Sequence, residues 1–145
     1  MRTKRASAWP RRAHIVTFAR IVFVVAGIWG IVVLTPVYWL VDVTGRRYDP
    51  PTTYPHFFYG FVAVALAWQI AFLVIGSNPA RFRALMIPAM LEKFGYVATL
   101  GVLFGQGRIA FVDAVAAVPD GLLGLLFILA FVRTRVKTRA RPGSR

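Results

Sequence analysis

Four long apolar stretches separated by short polar connectors dominate the chain. Ile21 to Val41 runs for 21 residues without a charge. Phe57 to Gly76 carries Gln69 as its one strongly polar side chain. Ala84 to Phe104 is interrupted by Glu92 and Lys93, and Ile109 to Val132 by Asp113 and Asp120. About 20 mostly apolar residues are enough for a helix to cross a bilayer core. The pattern therefore predicts an all-α fold, an up-down bundle of four transmembrane helices with spans at 21–41, 57–76, 84–104 and 109–132. It divides the chain into a basic N-terminal segment (1–20), a four-helix membrane domain (21–132) and a basic tail (133–145).

The connectors read as turns. Residues 42–56 contain Gly45, Pro50, Pro51 and Pro55, strong breakers of regular structure. In 77–83, Asn78 suits a helix N-cap and Pro79 a first helical residue, which would start the third helix in the membrane interface. Residues 105–108, Gly-Gln-Gly-Arg, form a tight turn. The first apolar run exceeds the core of a secretory signal peptide, and no small-x-small cleavage site follows it. It reads as an uncleaved anchor.

Charge distribution orients the bundle. The chain has 18 Lys and Arg against 5 Asp and Glu, a net charge of +13 on a composition that is 58% hydrophobic. The 14 positive charges of Arg2, Lys4, Arg5, Arg11, Arg12, Arg20, Arg81, Arg83, Arg133, Arg135, Lys137, Arg139, Arg141 and Arg145 all fall on one side if there are four spans. The positive-inside rule makes that side cytoplasmic and places both termini there. A third segment lying flat would send one basic terminus outward, which supports four crossings. Tyr38, Trp39, Tyr54, Phe57, Phe58, Tyr59 and Phe104 fall near the outer interface, and Trp9, Phe18, Phe82 and Phe131 near the inner one, levels that aromatic rings favour. The Arg-rich usage, 15 Arg to 3 Lys, hints at a bacterial source. The expected location is a bacterial cytoplasmic (inner) membrane.

Ionisable groups inside a span are expensive and point to function or to pairing. At the helical rise of about 1.5 Å per residue, Gln69, Glu92, Lys93, Tyr96 and Asp120 fall within one zone in the inner half and middle of the bilayer. These five form the expected intramembrane polar cluster. The nine Leu, Ile, Val and Phe residues of the third segment favour insertion by about 3 to 5 kcal/mol, whereas two central charges cost about 5 to 7 kcal/mol. Glu92 and Lys93 must therefore be paired, neutralised or water-facing. They lie about 100° apart on the helix and cannot both face one neighbour squarely. Pro88, Glu92, Gly95, Tyr96 and Thr99 share one face, and Pro88 is expected to kink the helix. Small residues line the fourth segment (Ala110, Ala114, Ala117, Gly121, Gly124, with Asp113 and Asp120), the second (Gly60, Ala63, Ala67, Ala71) and the first (Gly27, Gly30). Such stripes let helices approach closely. They are expected to face inward, bringing Asp120 to Glu92 and Lys93, while Leu122, Leu125, Leu126 and Leu129 face lipid or a partner.

The chain has no cysteine, which excludes disulfides and thiolate chemistry. His14 and His56 fall on opposite sides, so no bis-histidine metal or haem site is expected. His56 is placed in the outer headgroup region, with proton sensing as the lesser reading. Asp113 is hydrated near the outer surface or paired with Arg108. Trp29 and Trp68 read as packing residues. The sequence contains no HExxH, Walker A, GxSxG or GxGxxG motif, so no catalytic residue, metal or cofactor is assigned. The basic tails read as topology determinants, with no specific nucleic-acid binding expected.

Tyr54-Pro-His-Phe-Phe-Tyr-Gly, Ala67-Trp-Gln-Ile-Ala-Phe, Asn78-Pro-Ala-Arg-Phe-Arg-Ala-Leu-Met and Leu91-Glu-Lys-Phe together resemble a group of uncharacterised small four-span bacterial membrane proteins. In overall shape the chain is similar to the DoxX-like proteins. The resemblance covers roughly residues 54–132. It implies a bacterial inner-membrane four-helix bundle and carries no catalytic residues across. Three functional readings remain open. The first is a non-enzymatic accessory or self-associating bundle, with the lipid bilayer and a second copy or membrane-protein partner as its contacts. The second is a small transporter or channel using the intramembrane charges. The third is a membrane enzyme acting on a lipid or quinone through Glu92 or Asp120. For Glu92, Lys93 and Asp120, a buried ion pair that fixes helix register stands beside a relay or substrate site.

Overall fold

The computed structural model describes residues 9–39 and 55–134, with side chains described over 17–39 and 56–134. The side chain of His14, the connector residues Asp42, Arg46, Arg47 and Asp49, and most of both basic segments lie outside this set. The described residues form helices and turns only. These are α1 (Trp9–Trp39), α2 (Pro55–Ser77), a 3-10 turn (Arg83–Leu85), α3 (Met86–Gly105), α4 (Phe111–Val115) and α5 (Ala117–Arg133). Four segments are long and apolar enough to cross a membrane: Thr17–Trp39, His56–Ser77, Arg83–Gly105 and Phe111–Arg133. The protein is a multi-pass membrane protein built as a four-helix bundle.

Two prolines shape the spans differently from expectation. The Asn78 side chain accepts the Arg81 N–H at 3.2 Å, and its carbonyl accepts the Phe82 N–H at 3.0 Å. The Asn78–Pro79 pair thus closes a turn rather than opening α3. Regular α geometry begins only at Met86, because Pro88 has no N–H for the Ala84 carbonyl. Pro88 sits in the first turn of α3, where that N–H would have no helical partner anyway, and marks the start of the helix instead of kinking its middle. Pro119 acts from within the fourth span. Its missing N–H and its ring disturb the Val115 carbonyl, and the helix breaks there, at Ala116, into α4 and α5. At the other end of α3, Gly107 takes φ +67°. The Arg108 N–H bonds Leu103 O at 2.9 Å and the Gly107 N–H bonds Phe104 O at 2.9 Å. This is the paired closure of a helix end that needs a left-handed residue, and it makes the tight turn at 105–108.

Packing follows an order α2–α1–α5–α3. The first helix lies along α2 and also against α5, α3 lies along α5, and α2 and α3 approach each other only sparsely. The buried core sits toward the end where α2 and α5 finish. Ala19, Val22, Phe23 and Ala26 of α1 meet Phe72 and Ile75 of α2, Met86 and Ala89 of α3, and Phe127 and Ala130 of α5. Three phenyl rings from three spans form its centre. Phe23 stacks on Phe127 with centroids 4.2 Å apart, and Phe72 meets Phe127 edge-on at 5.0 Å. Offset and edge-on arrangements of this kind are the favoured ones. Toward the other end Val32, Val33, Trp39, Phe57, Val102, Phe104 and Phe111 are exposed, as lipid-facing positions should be.

The small-residue stripes divide. Gly27 and Gly30 of α1 receive α2 at close range. A Cβ on Gly27 would lie 2.9 Å from the Gln69 carbonyl oxygen, and one on Gly30 would collide with the Gln69 side chain. On α5, a Cβ at Gly124 would lie 2.9 Å from the Phe94 ring. On α2 the expectation fails, since Gly60, Ala63 and Ala67 are exposed and nothing lies within 4 Å of a Cβ on Gly60. The inward face of α2 is taken by Val62, Ala65, Gln69, Phe72 and Ile75, one helical stripe of larger residues that fills the space beside the glycines of α1. Trp29 is likewise 55% exposed rather than packed, because Ala26, Gly27 and Gly30 occupy the seam. Leu122, Leu125, Leu126 and Leu129 face outward as expected.

Gly27→Ala should lower stability by about 1–3 kcal/mol, the usual cost of forcing extra volume into a packed seam. Gly60→Ala should be neutral or stabilising by up to about 1 kcal/mol through helix propensity. Unfolding in mixed detergent micelles measures both.

Candidate functional site

α3 and α5 run antiparallel, with Phe94 against Gly124 and Val97 against Gly121. The glycines let the two backbones approach, and the lysine one residue before Phe94 then reaches across the seam. Lys93 Nζ lies 2.5 Å from Asp120 Oδ1. It also lies 3.3 Å from Glu92 Oε2 and donates a long hydrogen bond, 3.4 Å, to Glu92 Oε1. Its third neighbour is the Phe72 ring of α2, whose centroid is 5.3 Å away, within the range of cation–π attraction. Lys93 is 95% buried, whereas the carboxylate side chains of Glu92 and Asp120 keep 21% and 24% exposure.

The inward stripe of α3 is Met86, Ala89 and Lys93, not the face of Pro88, Glu92, Gly95, Tyr96 and Thr99. Gly95 and Thr99 are exposed. The reason is steric. Lys93 can extend its stem over Phe72 and end between two carboxylates, while Glu92, about 100° away around the helix, meets it from the side. One carboxylate therefore bridges helices and the other closes the arrangement within α3. Glu92 Oε2 accepts no hydrogen bond although its surface is covered.

The other polar residues of these spans are placed as follows. Gln69 is buried and its amide donates to the Ala65 carbonyl at 3.0 Å. It therefore satisfies itself on α2 and fills the notch at Gly30, instead of joining the three charges through a direct hydrogen bond. Tyr96 stacks on Phe61 with centroids 6.2 Å apart, spanning the gap between α2 and α3. Asp113 accepts the Ala110 N–H at 3.3 Å and so caps the start of α4, where a negative side chain suits the helix dipole. His56 is exposed, with its ring 4.4 Å from that of Phe57.

A second set of contacts, which hydrophobic pattern alone does not reveal, ties the opposite end of the core. Arg20 of α1 donates to the Ser77 carbonyl at 3.0 Å, closing the C-terminus of α2. Arg83 donates to the Phe131 carbonyl at 3.2 Å and lies 3.6 Å from the centroid of that ring. The last carbonyls of a helix have no partner within it and carry partial negative charge, so a neighbouring guanidinium satisfies both needs. Thr134 adds a hydrogen bond to Ala130 O at 2.7 Å and contacts Met86 Sδ at 3.8 Å. The signal in the sequence is an arginine and a phenylalanine at the same depth on adjoining spans.

Chemically, the three charges form an ion-paired tie and not a nucleophile–base pair. Removing the cation alone would leave two carboxylates facing each other in a low-dielectric setting. Lys93→Met should therefore lower unfolding free energy by about 3–5 kcal/mol, the cost of leaving a buried charge without its partner. The triple variant Glu92→Gln, Lys93→Met, Asp120→Asn should recover most of that loss. Equilibrium unfolding in SDS-containing micelles measures both, and a Lys93→Met protein as stable as the parent contradicts the pairing. Comparison with protein-family models, with curated proteins and with solved structures finds no match, so the reading of this site rests on its own residues.

Proposed function

We propose that this protein is a non-enzymatic membrane bundle that works by associating with a second copy or with another membrane protein, and that its buried charges hold the bundle in register. The observation that carries this reading is the covering of the third span. Among the described spans it alone has a charge pair at its centre, yet only 11% of it is buried, against 22% to 28% of the other three. A helix that crosses the bilayer with marginal insertion energy gains most from being covered by protein. Its outward stripe, Leu91, Gly95, Ala98, Val102 and Gly105, is exposed and small at its middle. Nothing lies within 4 Å of a Cβ on Gly95 or Gly105. In lipid, helix association is driven by close packing, which small residues permit.

A second reading, a small transporter or channel, has its own motivation. Lys93 faces two carboxylates, so the group carries one excess negative charge when all three are ionised, and both carboxylates keep partial exposure. A proton or cation exchanging there would restore neutrality. Proteoliposome flux that is lost in Glu92→Gln and Asp120→Asn supports it; flux that survives both removes these residues from any transport path.

The positive-inside rule supports an inner-membrane location with the Arg20, Arg83 and Arg133 end in the cytoplasm. Reporter fusions at residue 145 should be active only as cytoplasmic reporters.

Self-association is tested on α3. Chemical cross-linking and native mass spectrometry in nanodiscs should find an oligomer or a co-purifying partner for the parent protein. Gly95→Leu with Ala98→Leu, placed where the monomer has open space, should abolish it without lowering monomer stability. A parent protein that is strictly monomeric and without a partner contradicts the proposal.

A further inference from the structure

We propose that the Arg-rich end of the bundle binds the phosphodiester headgroup of an anionic phospholipid, with Arg81 and Arg83 as its principal ligands and Arg20 and Arg133 flanking them. Three guanidinium groups at this end rest on phenyl rings. Arg83 lies over Phe131 at 3.6 Å, Arg133 over Phe18 at 5.0 Å, and Arg81 over Phe82 at 5.4 Å. A ring beneath a guanidinium fixes its plane and leaves the N–H edge available to oxygen, the geometry that suits bidentate binding of phosphate. No ion pair reaches Arg20, Arg81, Arg83 or Arg133, since the ion pairs among the described residues involve Lys93. The chain's five acids are Asp42, Asp49, Glu92, Asp113 and Asp120. None lies in the 77–85 connector or in the adjoining helix ends, so among the described residues this end has no carboxylate of its own to neutralise it.

Arg83 shows the unmet demand most directly. One terminal nitrogen donates to the Phe131 carbonyl, while Nε is covered and has no hydrogen-bond partner. Nε is therefore closed to an outside ligand, and a headgroup oxygen at the rim of the bundle would meet the terminal N–H groups of Arg83 that the Phe131 carbonyl does not use. Three of the four arginines contact helix ends at this level: Arg20 reaches the Ser77 carbonyl at the start of the connector, Arg83 reaches Phe131, and Arg133 lies over Phe18, while Arg81 is exposed in the connector itself. Phe18, Phe82 and Phe131 also mark the headgroup level, where aromatic rings settle. Basic recesses between spans at this level suit anionic lipid over zwitterionic lipid.

The test uses the full chain in phosphatidylcholine vesicles containing phosphatidylglycerol as the minor lipid. Electron spin resonance of spin-labelled phosphatidylglycerol and phosphatidylcholine gives their relative association with the protein. Phosphatidylglycerol should be preferred by roughly fivefold per guanidinium engaged, following the usual attraction of a basic residue to an anionic headgroup. Arg81→Gln, an exposed change that leaves the helix contacts alone, should lower the preference, and adding Arg83→Lys, which keeps the charge but loses the bidentate fork, should lower it further. Arg141→Gln with Arg145→Gln takes two charges from the tail and should leave the preference largely intact. Equal losses in the tail and connector variants would mean diffuse attraction and would overturn the site. Full displacement of the lipid by inorganic phosphate would overturn the lipid assignment, and absence of any preference in the parent protein would overturn the proposal outright.

Discussion

A lysine ammonium close to the middle of a transmembrane helix has to meet an anion, and in this protein that requirement organises the pairing of the spans. Lys93 finds Asp120 on α5 and Glu92 on its own helix. Reaching Asp120 demands that α3 and α5 lie close together, which Gly121 and Gly124 permit by receiving Val97 and Phe94. Once α3 is committed to α5, the phenyl knot of Phe23, Phe72 and Phe127 fastens α5 to α1 and α2. The helix order α2–α1–α5–α3 then follows, and α2 and α3 are left apart although they are neighbours in sequence.

The two ends of the bundle differ in how they are held. At the Arg-rich end, guanidinium groups close the C-termini of α2 and α5, and buried apolar residues from four spans meet. At the far end the helices present valine, tryptophan and phenylalanine outward, and the fourth span is broken at Ala116 by Pro119. Stability is therefore concentrated in one half of the membrane thickness. Openings of low free energy belong where buried contacts are few, which places them on the α4 side. The ion-paired tie stands between the two regions.

Much of this architecture was legible in the chain. Four apolar runs of spanning length gave four spans because the bilayer imposes a length and leaves backbone groups no alternative partner. The meeting of Lys93, Glu92 and Asp120 could be anticipated because an unpaired charge there is too expensive. Side-chain facing was less legible. Periodicity says which residues of α2 share a stripe but not whether the stripe of Gly60, Ala63 and Ala67 or that of Ala65, Gln69 and Phe72 turns inward, because lipid and protein interior are about equally apolar. Glu92 and Lys93 competed for one face, and the longer stem decided it for Lys93. Pro88 was visible as a breaker, yet whether a proline begins a helix or interrupts it depends on turns fixed elsewhere, such as the one closed by Asn78. Arg20 and Arg83 looked like topology charges; their bonds to Ser77 and Phe131 depend on helix ends coming level across the bundle.

The central claim is that the Lys93 ammonium is held by Asp120 across the α3–α5 seam inside the bilayer. Magic-angle-spinning NMR on the protein in lipid bilayers, with dipolar recoupling between Lys93 Nζ and the Asp120 side-chain carboxyl carbon, measures that separation directly. Strong dephasing is expected, consistent with the 2.5 Å approach of Nζ to Oδ1. A Lys93 signal that shows no coupling to Asp120 and exchanges freely with water would contradict it.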